Sequence, residues 1–153
     1  MKIIKATKKH SKEISKLMLL DLENPNSKFP QEMINNFREH VKEENIIKEF
    51  EDPRLIAFLA INEKRVLGFI VGYEPDLGGA MIHYINAKED GLKERLLKRF
   101  IKECKSKNIT EVITDTFEFM ENNAFFKSQG FILMKKEGLT KNLEILWYKL
   151  DLN

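Results

Sequence analysis

Apolar residues recur along this chain with two different periods, and the switches between them mark the elements. Between Leu92 and Cys104 the spacing is helical. Leu92, Leu96, Leu97, Phe100, Ile101 and Cys104 share one face, while Lys93, Glu94, Arg95, Lys98, Arg99, Lys102 and Glu103 share the other. Lys9 to Leu22 carries Ile14, Leu17, Met18 and Leu22 at the same spacing. Gln31 to Phe50 is also predicted helical, with a break near Glu44. The period shortens elsewhere. Lys2–Ala6, Arg54–Ile61, Arg65–Tyr73, Ala80–Ala87, Glu111–Asp115, Phe131–Lys136 and Leu143–Leu150 read as strands. Asn62-Glu63-Lys64 suggests a hairpin, and Gly78-Gly79 a turn. Glu118 to Gln129 reads as a short helix closed by Gly130.

The resulting order is β-α-α-β-β-β-α-β-α-β-β. Ala80 to Asp115 is strand, helix, strand, which implies a parallel pair with a right-handed crossover. The hairpins imply antiparallel pairing elsewhere. The expectation is therefore an α/β (α+β) fold with a mixed, mostly antiparallel sheet of six to seven strands and helices on both faces. Arg54–Ile61 and Arg65–Tyr73 are apolar on both faces, so layers are expected above and below them. Leu143–Leu150, also apolar on both faces, is expected inside the sheet.

Composition narrows the class. The 153 residues match one ordinary domain, 1–153, and are 42% hydrophobic and 33% charged, which is globular rather than disordered. Twenty-six basic against 24 acidic residues leave a net charge of +2, and Lys and Glu are interspersed. A duplex-binding basic stripe is absent, so no nucleic-acid partner is expected. No apolar run approaches a membrane span of roughly 18 residues. The amino terminus, Met-Lys-Ile-Ile-Lys, lacks the apolar core of a signal peptide. No membrane partner is expected, and the cytoplasm is the simplest location. Cys104 is the lone cysteine, so no intrachain disulfide forms, and its helical face assigns it to core packing.

Two segments carry candidate chemistry. The first is Ile85-Asn86-Ala87-Lys88-Glu89-Asp90-Gly91-Leu92-Lys93, a strand end, a charged turn and a helix start. Helix N-termini present unpaired amides and a partial positive charge, which suits a phosphate. Lys88 and Lys93 add point charges, and Gly91 allows close approach of the backbone. Alone, this turn reads first as an ordinary strand-to-helix loop with a solvated rim. Neither GxGxxG nor GxxxxGK[ST] occurs. The second segment is Glu121-Asn122-Asn123-Ala124-Phe125-Phe126-Lys127-Ser128-Gln129-Gly130-Phe131. By itself it is a capped helix packed by aromatics.

In this order and spacing the two segments resemble the GNAT acetyltransferase family. That family's phosphate turn reads Arg or Gln, x, x, Gly, x, Gly or Ala; Lys88, Gly91 and Lys93 stand in those places. Its later motif places Asn and Ala before an aromatic pair and x-x-x-Gly-Phe, which Phe125-Phe126 through Gly130-Phe131 matches. Lys93 replaces a residue of almost no side chain, and Phe126 stands where many members carry a tyrosine that protonates the leaving thiolate. The resemblance implies an N-acetyltransferase using acetyl-CoA (coenzyme A) as cosubstrate and no metal. Ile85, Asn86, Ala87, Lys88, Gly91, Leu92, Lys93, Asn122, Asn123 and Phe126 would face the cofactor. Its arm would lie between Ala80–Ala87 and Glu111–Asp115 where those parallel strands splay apart. His83, Tyr84 and Asp115 are the catalytic candidates; Glu74 and Tyr148 are further ones. Each also reads as a packed or surface residue. The acceptor, an amine on a small molecule or peptide, would meet the loop Glu23–Pro30, the second helix and the hairpin Gly138–Asn142. The chain would act alone or as a homodimer. A non-catalytic acyl-CoA-binding member of the same fold is the alternative.

Overall fold

A computed structural model describes residues 1–23, 29–74 and 79–153. The strand β1 (Lys2–Lys5) leads through a 3-10 turn at Lys8–His10 into α1 (Ser11–Leu22). Then come α2 (Gln31–His40), α3 (Glu43–Glu49), β2 (Leu55–Asn62), β3 (Arg65–Tyr73) and β4 (Gly79–Ala87). The chain closes with α4 (Leu92–Ser106), β5 (Glu111–Phe117), α5 (Glu121–Ser128), β6 (Ile132–Thr140) and β7 (Leu143–Asp151). Each predicted element is present, with shifted ends. The second helical stretch breaks at Val41-Lys42 rather than Glu44. Gly79 lies in a strand rather than a turn, and Gly138 lies inside β6, so the last turn is Lys141-Asn142. The other half of the predicted Gly78-Gly79 turn, and Asn24–Lys28 of the predicted acceptor loop, lie outside the described residues.

The strands form one sheet in the order β1-β2-β3-β4-β5-β7-β6. Only β4 and β5 are parallel among the described residues, and α4 makes the crossover between them. As predicted, β7 is interior, while β6 is an edge whose residues are all exposed. One face of the sheet packs on α4: Ile56, Phe58, Ile70, Ile82 and Ile85 meet Leu96, Leu97 and Phe100, all buried. Gly72 is required there, because a Cβ on it would come within 2.7 Å of Phe100 Cζ. The opposite face packs Ala57, Leu59, Phe69 and Val71 against Ile14, Leu17 and Ile46 from α1 and α3. Fully burying such aliphatic side chains stabilises by about 1.5–3 kcal/mol each, so the two layers together fix the middle of the sheet. Cys104 is buried in the first cluster, and burial pushes its thiol up to about 12, which makes it inert at neutral pH.

Two irregularities in β4 set up the site. Val71 pairs with Tyr84 but Gly72 pairs with Ile82, so His83 is an extra residue opposite β3. This bulge reverses the alternation: Ala80 and Ile82 face α4, and so do Ile85 and Ala87, while Tyr84 turns to the α1 face. The second irregularity is a parting of strands. β4 and β5 pair only from Gly79↔Glu111 to Ile82↔Thr114. Beyond that, Tyr84 to Ala87 keep β3 alone, and Asp115 to Phe117 keep β7 alone.

Candidate functional site

The parting is capped by Thr114, whose hydroxyl donates to the Ile82 carbonyl at 3.3 Å. The next residue on the same side of β5 is Thr116. It is 5% exposed, and its Oγ1 is buried without a hydrogen-bond partner among the described residues. A buried unpaired hydroxyl costs roughly 1–3 kcal/mol. Thr114 finds a carbonyl because β4 is still alongside; Thr116 lacks one because β4 has left. Nothing in the sequence distinguishes the two threonines. This orphan hydroxyl, beside an unpaired strand edge, fits a chain-like ligand that carries its own amides and carbonyls.

Past the parting, side chains take the place of the missing strand. Asn122 on α5 donates from Nδ2 to the Ile85 carbonyl at 3.5 Å, and its Oδ1 accepts from Lys93 Nζ at 2.7 Å. The Lys93 ammonium also lies 5.6 Å from the centre of the Phe125 ring. Lys93 thus leans aside from the helix start and bridges α4 to α5. Burial pulls its pKa below the ordinary lysine value, partly offset by the carboxylates of Glu121 and Asp21.

On the α1 face, Asp21 is the link that sequence reading misses. One of its oxygens accepts from the Tyr84 hydroxyl and the other from Asn86 Nδ2. The Asn86 carbonyl oxygen Oδ1 in turn accepts from the Ala87 amide at 2.8 Å. Burial first, and the Asp21 charge second, push the Tyr84 phenol well above its ordinary range. A lone aspartate near a helix end gives no sequence signal for a partner 63 residues away.

The helix start is shaped for an anion. Gly91, at φ +80°, is the N-cap of α4, and a Cβ there would meet nothing within 4 Å. The left-handed backbone costs a non-glycine residue about 1–2 kcal/mol. Leu92 N–H bonds back to the Glu89 carbonyl at 3.4 Å and Arg95 N–H to the Gly91 carbonyl at 3.2 Å, so the first-turn amides that point outward are those of Lys93 and Glu94 between them. Asn86, Lys88, Gly91, Lys93, Phe125 and Gln129 help line a concavity of about 330 Å³ in front of them. Glu89, Asp90, Glu94 and Glu121 also lie on its wall. Glu94 pairs with Lys98 at 2.7 Å. The field there is thus mixed, and the oriented amides are its anion-directed part.

His83 and Asp115 stand side by side at the parting, each one residue beyond the last paired position. The His83 ring packs edge-on to Tyr73 with centroids 4.8 Å apart. His83 is exposed, yet the groups around it lower its pKa; desolvation dominates and the Asp115 charge opposes it. Asp115 is raised by burial, with His83 opposing. The structure therefore brings His83, Asp115, Tyr84, Asn86, Lys88, Gly91, Lys93 and Asn122 to one end of the parted strands. Leu92 is buried beneath the helix start. Phe126 is 1% exposed and sits in the core among Phe125, Phe131 and Tyr148. Asn123 accepts the Tyr148 hydroxyl. Glu74 pairs with Lys107 at 3.6 Å, after the far end of β3. Among the described residues no cluster of side chains could hold a metal ion, and no helix is long and apolar enough to cross a membrane.

No family model and no curated protein matches the chain. Solved structures do. The chain is similar to the PaiA N-acetyltransferase from Thermoplasma acidophilum in complex with coenzyme A, at 18% identity and a TM-score of 0.80 over 97% of this chain and 98% of that one. It is similar to an acetyltransferase of the GNAT family from Staphylococcus aureus, at 20% identity and a TM-score of 0.75 over 99% of each chain. An aminoglycoside 6'-N-acetyltransferase complexed with coenzyme A matches at 13% identity and a TM-score of 0.79, covering 100% of this chain and 98% of that one. At these identities the likeness is one of architecture, and the seven-stranded sheet with its parted parallel pair has the fold of the GNAT acetyltransferases.

Proposed function

We propose that the protein is an N-acetyltransferase that moves the acetyl group of acetyl-CoA to a primary amine by direct attack. The observation that carries this reading is the parting of β4 from β5 with a buried, unpartnered Thr116 hydroxyl just beyond it. Acetyl-CoA supplies an activated acyl group, whose carbon bonds to the amine nitrogen as its bond to sulfur breaks. The outward amides of Lys93 and Glu94 that follow Gly91, with the Lys88 and Lys93 side chains, hold a diphosphate. The unpaired edge of β4 near Ile85 to Ala87, Asn122 and Thr116 hold the arm. Asn122 has to give up the Ile85 carbonyl for this, which frees its Nδ2 for the ligand while its Oδ1 still holds the Lys93 ammonium.

His83 takes the proton that the nitrogen sheds. Its lowered pKa favours the neutral imidazole, the form a base needs, and Asp115 favours the imidazolium that results. The Tyr84 hydroxyl already donates to Asp21, so its part is to fix the bulged strand. Phe126 offers no proton and lies in the core, so solvent protonates the leaving thiolate. Most of the acceleration comes from placing the two reactants together. The fold's likeness to coenzyme A complexes supports the choice of cosubstrate.

The test is acetyl-CoA with a panel of amines, following thiol release together with the melting temperature. Release that disappears in His83→Ala supports the reading. A melting shift without release from any amine replaces it with an acyl-CoA-binding protein that does not catalyse. Neither shift nor release leaves only the fold.

A further inference from the structure

We propose that the acceptor is a monoamine carried on an aromatic body, its nitrogen between His83 and Asp115 and its ring in the trough formed by Phe117, Phe29 and Trp147. This rests on the transferase reading above and names its substrate class.

The trough follows from the register. Val112 on β5 faces α4, so Ile113, Asp115 and Phe117 face the other way. On β7, Leu146 and Tyr148 join the α4-side core, so Trp147 shares the face of Asp115, its direct cross-strand partner. This stretch of sheet is only partly covered by the described residues. The helix α2 packs against α1 and α3, and Phe29 is the residue that reaches over the strands. Its ring meets Phe117 edge-on at 4.9 Å, Phe119 at 5.1 Å and Phe37 at 6.0 Å. None of these rings is buried as core residues are: Phe29, Phe117, Phe119 and Trp147 are half-buried, and Phe37 is exposed.

The chemistry of the walls selects the ligand. The Asp115 carboxylate sits at the head of the trough beside His83, and rings follow it. Two residues along a strand is roughly 7 Å, the scale of an amine joined to a ring by one or two carbons. Half-buried aromatic rings gain from edge-to-face contact with another ring. An amino sugar would press its hydroxyls against phenylalanine rings, which neither donate nor accept conventional hydrogen bonds. A polyamine would bring its second ammonium up against that of Lys135, which already lies 5.2 Å from the centre of the Trp147 ring. Glu137, the acid beside Trp147, is already held by the indole N–H at 3.1 Å and lies near Lys135.

Trp147 is the chain's one tryptophan, so its emission reports the trough directly. Titration with 2-phenylethylamine in the presence of coenzyme A is expected to give a saturable change that glucosamine and putrescine do not give. With acetyl-CoA, kcat/KM for 2-phenylethylamine should exceed that for glucosamine or putrescine at least tenfold. Phe117→Leu, which keeps an apolar residue but removes the ring, should cut that preference below threefold while the melting shift with acetyl-CoA is retained. Comparable kcat/KM for all three amines, or an undiminished preference in Phe117→Leu, overturns the aromatic assignment and leaves the transferase reading standing. Absence of thiol release with every amine overturns both.

Discussion

Up to Ile82, β4 is paired with β5, and at Met81 and Ile82 with β3 as well, whereas from Tyr84 to Ala87 it keeps only β3. The first half is flanked by ladders and covered by Phe100. In the second half the lost neighbour is replaced by side chains: Asn122 on the Ile85 carbonyl, Asp21 on Tyr84 and Asn86, and no described residue on the Thr116 hydroxyl. Strand ladders are repetitive and cooperative; single side-chain bonds can be exchanged one at a time for those of a ligand. One strand thus has a laddered half and an open half, and the change occurs where β5 turns away.

Breaking the laddered half has the largest expected effect. Phe100→Ala empties a fully buried site against β3 and β4 and should cost about 3–5 kcal/mol, read by denaturant titration. In the open half, Asp21→Ala strands a phenol and an amide, and a loss of about 1–3 kcal/mol is expected by the same titration. A loss near zero would mean that Asp21 does not tie α1 to β4. Thr116→Val separates the two halves most sharply. It removes an unpaired buried hydroxyl at nearly constant shape, so the free protein should be unchanged or up to about 1 kcal/mol more stable. The melting shift produced by acetyl-CoA should shrink. A destabilised free protein would show that Thr116 has a partner of its own.

The smallest effect is a displacement along the pH axis. If His83 is the base, kcat/KM rises as His83 loses its proton, with a midpoint below the ordinary histidine value because desolvation disfavours the imidazolium. Asp115 opposes that shift, so Asp115→Asn should move the acidic limb to lower pH still. An acidic limb unmoved by Asp115→Asn, or one that survives His83→Ala, assigns the proton to another group.

Phe126 and Asn122 show how far the pattern of residues alone reaches. Both belong to the segment that resembles a cofactor-contacting motif, yet Asn122 faces the parted strands while Phe126 is in the core. A helix presents neighbouring residues in different directions, and only its docking against β5 decides which one faces the parted strands. Asp21 and Thr116 were illegible for a related reason. Each matters through one atom and a neighbour far along the chain, and that leaves no periodic trace.

The elements, their order, the apolar face of α4 and the interior place of β7 were all legible in the order of residues, because helical and strand periods are local and repeat over many positions. Folding in three dimensions was needed to fix where β4 and β5 separate, which residue bulges, and which rings stand beside Asp115. Those depend on register between distant strands, where a shift of one residue exchanges the two faces of the sheet.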